Sequence, residues 1–307
     1  MFKMNYDLIL IRYGEISLKS DYVRNKFEKI LIDNIRKAFK LNNLECIISR
    51  ERGRIYLVTK NLDKEVEILS KMFGIVSFSP VISTTSIIKD ISDVALYLSK
   101  KMIKKVDSFA LRVSRSGEHD FTSQQVAIRI GNDIVNSTSA KVDLTSPDFE
   151  LFIEIRDKRS YLFDKKIQGL GGLPYGSQGD VISLIYDYKS ILASWYLLRR
   201  GCNVDFILSN KNVENDLNRF LKDWFIDSKI FFMDFEKNGF YDKINNIIDK
   251  GNYLAFVTSH TLFEDEKEVL MSITEFKKNI KISVLHPLIS MNNVKIDSIS
   301  KEIGILQ

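Results

Sequence analysis

Cysteine is nearly missing from this sequence: only Cys46 and Cys202 occur in 307 residues. They stand far apart with no histidine close by, which excludes a disulfide framework and any zinc site built on paired cysteines. No metal site is expected, and a reducing, cytoplasmic setting is. Long apolar runs are lacking too. No stretch approaches the roughly 18 consecutive apolar residues needed to span a bilayer, so no membrane association is expected. The start, Met1-Phe2-Lys3-Met4-Asn5, shows no small-residue cleavage site, and no secretory signal is read there. Repeats, low-complexity tracts and long disordered charge runs are absent as well. What is present is 45% hydrophobic and 28% charged, ordinary for folded protein. The length suits two or three domains of about 100–150 residues each.

The net charge of +5 is mild, but it is unevenly spread. Residues 1–168 hold 29 Lys/Arg against 22 Asp/Glu, and residues 169–307 hold 16 against 18. The basic excess lies wholly in the first half, where a polyanion would dock. Glycine and proline mark one boundary. Gly169-Leu170-Gly171-Gly172-Leu173-Pro174-Tyr175-Gly176 cannot continue a helix or a strand and reads as a linker.

Before the linker, Leu8–Ile11 reads as a buried strand. Ser20 or Asp21 caps a long amphipathic helix with Val23, Phe27, Ile30, Leu31, Ile35 and Phe39 at helical spacing. Strands at Glu45–Ile48 and Arg54–Val58 flank a turn at Arg52-Gly53. A helix over Asp63–Met72 and a strand over Ile75–Ser79 complete a βαββαβ order, which suits a ferredoxin-like α+β sandwich. From Pro80 a second unit carries a helix over Ile91–Lys104, a strand at Phe109–Val113 and a helix from Ser123. Thr122 and Gln125 of that helix have capping-box spacing. Strands at Glu150–Ile155 and Ser160–Phe163 form a hairpin. Beyond the linker, short apolar strands (Val181–Ile185, Val204–Leu208, Lys229–Phe232, Tyr253–Val257, Lys281–Leu285) alternate with amphipathic helices. That βα rhythm predicts a doubly wound parallel α/β domain.

The strongest local constellation is Arg112-Val113-Ser114-Arg115-Ser116-Gly117-Glu118-His119-Asp120-Phe121-Thr122-Ser123. Two arginines leave a strand, a glycine turns the chain, and a capped helix begins. A helix N-terminus offers N–H groups and partial positive charge to a phosphate. Arg112 and Arg115 are suited to bidentate phosphate bonds, and His119 and Phe121 offer ring faces for an unstacked base. The alternative is a surface turn whose Phe121 is core.

Three stretches in order resemble the tRNA 4-thiouridine synthase family, in which ferredoxin-like and THUMP domains precede an ATP-pyrophosphatase (PP-loop) domain. They are Arg12-Tyr13-Gly14-Glu15-Ile16-Ser17-Leu18-Lys19-Ser20, the Arg112–Ser123 stretch, and Gly169 to Ile185 leading into Arg199-Arg200-Gly201-Cys202. A weaker match at His286-Pro287-Leu288-Ile289 extends the resemblance over nearly the whole chain. The resemblance implies a ferredoxin-like domain over 1–79, a THUMP domain over 80–168, a linker over 169–178 and a PP-loop-like domain over 179–307. It also implies that the first half binds the 3′ acceptor end of tRNA through Lys19, Arg24, Arg112, Arg115 and backbone groups near Ser123.

The departures are on the nucleotide side. Where the family has Ser-Gly-Gly-x-Asp-Ser, this chain has Ile185-Tyr186-Asp187-Tyr188-Lys189-Ser190. The loop is shorter and lacks both glycines, so backbone N–H groups have no open cradle for phosphates. Asp187 adds a negative charge there, although Lys189 and Ser190 retain the means to contact an anion. The family's catalytic cysteine falls shortly beyond the helix over about Val294–Ile303, and this sequence ends at Gln307 ahead of it. Cys202 and Cys46 read as structural thiols rather than persulfide carriers. His260 lies at the edge where α/β folds bind ligands, where the family has Gly-Glu, and reads as a surface residue or a ligand contact. His286 reads as structural.

The expectation is therefore a tRNA-binding THUMP protein of tRNA modification with no catalytic residue of its own and no cofactor. Its C-terminal domain would serve as scaffold, dimer surface or platform for a separate modifying enzyme. The alternative is an active tRNA sulfurtransferase using ATP, magnesium and a partner's cysteine.

Overall fold

Alternating apolar positions in short runs make strands, and 3.6-residue apolar stripes make helices. The computed structural model describes residues 5–14, 20–51, 53–103, 107–233 and 239–306. The chain begins with β1 (Leu8–Tyr13), α1 (Asp21–Leu41), β2 (Ile48–Glu51), β3 (Arg54–Val58), α2 (Leu62–Ser70) and β4 (Ile75–Thr85). It continues with α3 (Ile88–Met102), β5 (Ser108–Ser116), α4 (Ser123–Thr138), β6 (Lys141–Val142), β7 (Phe149–Arg156), β8 (Arg159–Phe163) and β9 (Ile167–Gln168). Then come β10 (Asp180–Ile185), α5 (Tyr188–Arg199), β11 (Asn203–Leu208), α6 (Glu214–Asp223), β12 (Ile230–Phe232) and α7 (Phe240–Lys250). The last elements are β13 (Ala255–Val257), α8 (Glu266–Asn279), β14 (Ser283–Leu285) and α9 (Asn293–Glu302). Among the described residues no helix is long and apolar enough to cross a membrane.

The chain forms two compact units. The first holds the described residues of 1–12, 45–67 and 77–168. Its sheet has nine strands in the order β2-β3-β1-β4-β8-β7-β5-β6, with β9 paired to β4. The β4 strand does not stop at Ser79, as the sequence suggested, but runs through Pro80 to Thr85. Pro80 lies between the stretch paired with β9 and the stretch paired with β8, a place where a missing N–H is tolerated. The strand expected at Glu45–Ile48 sits instead at Ile48–Glu51, because pairing with β3 matches Ile48 to Leu57 and Glu51 to Arg54. Gly53 of the expected turn takes φ +82°, and Arg52 lies outside the described residues. Helices α3 and α4 bury Ile91, Ala95, Leu98, Val126, Ile130 and Ile134 in one cluster with β5, β7 and β8. Lys100 and Lys101 close α3, while Lys104 and Lys105 lie outside the described residues.

The second unit holds the described residues of 13–44, 68–76 and 169–307. Its five strands run parallel in the order β12-β11-β10-β13-β14. Both faces of β10 are buried: Val181 and Ile185 join one apolar cluster, and Ile182 and Leu184 join the other. That is the signature of a central strand in a doubly wound sheet. The glycine-rich segment is hydrogen-bonded throughout this unit, with Gly171 N–H donating to Ile75 O at 2.8 Å and Leu173 N–H to Arg199 O at 3.0 Å. Gly172 takes φ +74°, and a Cβ there would stand 2.1 Å from Arg199 O, so no other residue fits.

Aromatic packing anchors the same unit. Phe73 stacks on Trp224 with centroids 5.3 Å apart, and both contact Trp195. Phe73 is 3% exposed. Phe73→Ala is expected to destabilise the protein by about 3–5 kcal/mol, read as a lowered urea midpoint.

Candidate nucleic-acid interface and nucleotide crevice

In the first unit, β5 runs parallel to β7 and delivers its last residues to the start of α4. The expected capping box is there: Gln125 N–H donates to Thr122 Oγ1 at 3.2 Å, and Thr122 N–H to Gln125 Oε1 at 2.8 Å. Beyond that box, a helix leaves the N–H groups of its first turn without intrahelical acceptors, which here begin at Ser123. Gly117 turns the chain at φ +94°, where a Cβ would meet Asp157 Oδ1 at 2.2 Å.

The four side chains singled out in this stretch divide. Arg112 is tied to the fold although its side chain is 39% exposed: Nε donates to Glu150 at 2.8 Å and Nη2 to Leu144 O at 2.9 Å. Arg115 is exposed, with Nη1 only 3.3 Å from Gly117 O and 3.4 Å from His119 Nδ1. His119 Nε2 lies 2.8 Å from Asp157 O. A carbonyl only accepts, so Nε2 carries the proton and Nδ1 is the acceptor facing Arg115. His119 thus orients Arg115, and its ring lies 5.2 Å from that of Phe121. Phe121 packs against the α3–α4 core cluster, as the core reading expected.

Arg24, in the second unit, is folded onto its own helix. It bonds Asp21 and lies 3.9 Å from Glu28, with its side chain 13% exposed. Two carboxylates already answer its charge, so it is not poised for a phosphate. Lys19 lies outside the described residues.

Sequence reasoning passed over a charged cluster in the first unit. Buried Glu154 on β7 receives Arg54 Nε at 2.7 Å, Arg12 Nη2 at 3.2 Å and Arg156 Nη1 at 3.3 Å. Arg12 also donates to Ser79 Oγ at 3.0 Å and lies 4.8 Å over the Phe163 ring. Burial pushes the Glu154 carboxyl up, but Arg54 and Arg12 outweigh it and hold it below the usual range. The only sequence signal was Arg12 itself, at the head of the first recognised stretch.

In the second unit the turn Tyr186–Ser190 follows β10. Asp187 caps α5, accepting from Ser190 N–H at 2.9 Å. Ser190 Oγ accepts from the N–H groups of Tyr186 at 3.1 Å and Asp187 at 3.2 Å. A side-chain oxygen therefore occupies backbone donors at the strand end, and a carboxylate occupies the helix N-terminus. Burial raises the Asp187 carboxyl. Tyr186 reaches Ser259 Oγ at 2.6 Å and Tyr188 donates to Asp297 at 2.6 Å; burial pushes each phenol up to about 12. Lys189 pairs with Glu264 and donates to Asn293 at 3.1 Å. Cys202 and Cys46 are half-buried and unbridged, and burial raises the Cys202 thiol.

Past the turn, at the carboxyl ends of β10, β11 and β13, lies a crevice of about 480 Å³. Burial, reinforced by His286, lowers His260 in its wall to about 4, and burial lowers His286 also. The unfolded chain protonates these imidazoles near the ordinary histidine pKa of 6.5, so stability present above that pH is lost as pH falls toward 4. The thermal midpoint should drop across this window, and a His260→Phe variant should lose less of it.

A ferredoxin-like module, a second module of two helices on a mixed sheet and a doubly wound α/β domain define a multidomain class, and comparisons place the chain within it. Residues 8–79 match the ThiI ferredoxin-like domain and residues 86–164 the THUMP domain. The probable tRNA sulfurtransferase of Methanobrevibacter smithii is 31% identical, with 98% of this chain and 87% of that one covered. The one from Methanothermobacter thermautotrophicus is 32% identical, with 98% and 85% covered. The chain belongs to the tRNA sulfurtransferase family. Among solved structures, PH1313 from Pyrococcus horikoshii Ot3 superposes with TM-score 0.82 at 28% identity, covering 97% of this chain and 99% of that one. A 4-thiouridine synthetase–RNA complex with bound ATP shares the fold at TM-score 0.77 and 23% identity, covering 98% and 86%.

Proposed function

We propose that this chain is a tRNA-binding protein of tRNA modification that carries out no ATP pyrophosphatase or sulfur-transfer chemistry of its own and needs no cofactor. The observation that carries the reading is the closed turn at Tyr186–Ser190. Ser190 Oγ takes the two N–H groups that a phosphate would need, and the Asp187 carboxylate holds the helix N-terminus. RNA binding rests on Arg115 and the first turn of α4, beside the THUMP match over residues 86–164. The second unit then acts as a scaffold, a homodimer surface or a platform for a separate modifying enzyme.

The second reading is an active tRNA sulfurtransferase using ATP, magnesium and a partner's cysteine. It is favoured by relatives that carry that name at 31–32% identity across 98% of this chain.

Two titrations of the full chain decide between them. Total tRNA at near-physiological salt is expected to bind, and to bind at least about tenfold more weakly after removal of its 3′ terminal nucleotides. Equal affinity for both forms removes the 3′-end assignment. ATP with magnesium is expected to show no binding tighter than about 100 μM; tighter binding establishes the sulfurtransferase reading instead.

A further inference from the structure

A doubly wound sheet buries both faces of its strands under helices, and the edge strand β14 has that cover on one face. Val284 joins the apolar cluster that holds Phe276 of α8. Side chains alternate along a strand, so Ser283 and Leu285 face the α5 side. Both are exposed there, Leu285 by 37%. The helix after β14 lies elsewhere. Tyr188 donates to Asp297 at 2.6 Å and Lys189 to Asn293 at 3.1 Å, which ties α9 to the start of α5. Beyond α9, Ile305 O accepts from Arg219 Nη2 at 3.1 Å, which leads the chain toward α6.

A groove of about 480 Å³ opens between this strand and the C-terminal end of α5, with Tyr196, Leu197, Leu285 and Pro287 as its apolar wall. The charged residues of the lining, Arg199 and Arg200, are both cations, and burial keeps His286 neutral at neutral pH. A helix C-terminus carries about half a negative charge, so two guanidinium groups beside it leave a net of about +1.5. The Arg199 guanidinium lies 5.5 Å from the Trp195 ring, which holds it at this end of the helix. A polynucleotide would gain from the cations and nothing from the apolar wall. An apolar helix bearing carboxylates gains from both.

We infer that the groove between α5 and β14 is the docking seat of an acidic amphipathic helix from a partner protein. The apolar stripe of that helix covers Leu197, Leu285 and Pro287 and supplies the helix layer that β14 has on its other face only. Its carboxylates meet Arg199 and Arg200. The inference rests on the reading of the second unit as a platform for a separate modifying enzyme, and gives that platform a place and a partner chemistry.

The probe is a synthetic helical peptide of about 16 residues, with leucines three and four positions apart and glutamates beside them, titrated with the full chain by fluorescence anisotropy. A twin with lysine in place of each glutamate is the control. The acidic peptide is expected to bind with Kd below about 100 μM, and its twin at least about tenfold more weakly. Leu285→Asp should remove the binding. Arg199→Glu and Arg200→Glu together should invert the preference, so that the lysine twin binds better. If that pair does not fold, Arg200→Glu alone, at an exposed position, should narrow the preference. Silence of the acidic peptide at about 1 mM, or equal affinity of the two peptides, overturns the inference. So does displacement by tRNA, which would make the groove an RNA surface. Loss of binding as the chain dimerises at higher concentration overturns it too, since a second copy would then be the occupant. A silent peptide with tRNA bound and ATP silent leaves the proposed function standing, whereas a silent peptide with ATP binding tighter than about 100 μM overturns both.

Discussion

Glu154→Ala is expected to destabilise the first unit by about 3–5 kcal/mol, because it takes the counter-charge from the buried Arg12 guanidinium. Glu154 is 6% exposed, and the side chains of Arg12 and Arg156 are 11% and 16% exposed. With the carboxylate present, three cations share one anion, and each gains from it despite mutual repulsion. Without it, Arg12 is left over the Phe163 ring with Ser79 as its polar neighbour, and burial already weighs against its charge. Glu154→Gln keeps acceptor geometry for part of the cluster but not the charge, and should fall between wild type and alanine. The pH sign follows from the lowered carboxyl: its contribution is present above the unfolded carboxylate pKa and is lost as pH falls through the folded one. Urea unfolding as a function of pH measures both effects. A change under about 1 kcal/mol for Glu154→Ala would mean that the arginines swing out to water at little cost.

Arg115→Glu should weaken tRNA binding by roughly 10- to 100-fold at about 0.1 M salt, with folding stability unchanged. Arg115 is exposed and held only by contacts of 3.3 Å and 3.4 Å, so its charge is available to a phosphate beside the first turn of α4. Reversal replaces an attraction by a repulsion at a place where a helix N-terminus already favours an anion. The log–log salt slope should become shallower by about one phosphate contact. Arg112→Glu behaves differently. It opposes Glu150 and abandons Leu144 O, so stability falls together with affinity. Comparing the two by thermal unfolding and tRNA titration separates a contact from a support. Unchanged affinity in the double variant removes the interface from this corner of the fold.

Elements whose signals lie within a few residues were legible in the sequence. The Thr122–Gln125 capping box, the amphipathic stripe of α1 and the βα rhythm after residue 179 each depend on neighbours three to seven residues apart, or on the strand period of two. The loss of both glycines between Ile185 and Ser190 was visible for the same reason. The details of that turn were not. Asp187 became a helix cap because α5 begins at Tyr188. Strand ends moved likewise: β2 slid to Ile48–Glu51 and β4 ran through Pro80, since a strand's limits are set by its partners across the sheet.

Convergent groups were decided only by tertiary structure. Arg12, Arg54, Arg156 and Glu154 meet from three strands, and Arg12 is separated from Glu154 by 142 positions in sequence. Thr258, Ser272 and His286 converge on His260 through two strand ends and a helix. No periodicity or spacing announces such meetings, because sheet order and strand register choose which distant side chains share a space. The sequence by itself determined the elements, the family and the lack of glycine between Ile185 and Ser190. The packed sheets decided which arginine is open, which carboxylate is enclosed, and that the crevice behind Tyr186 remains open and uncharged.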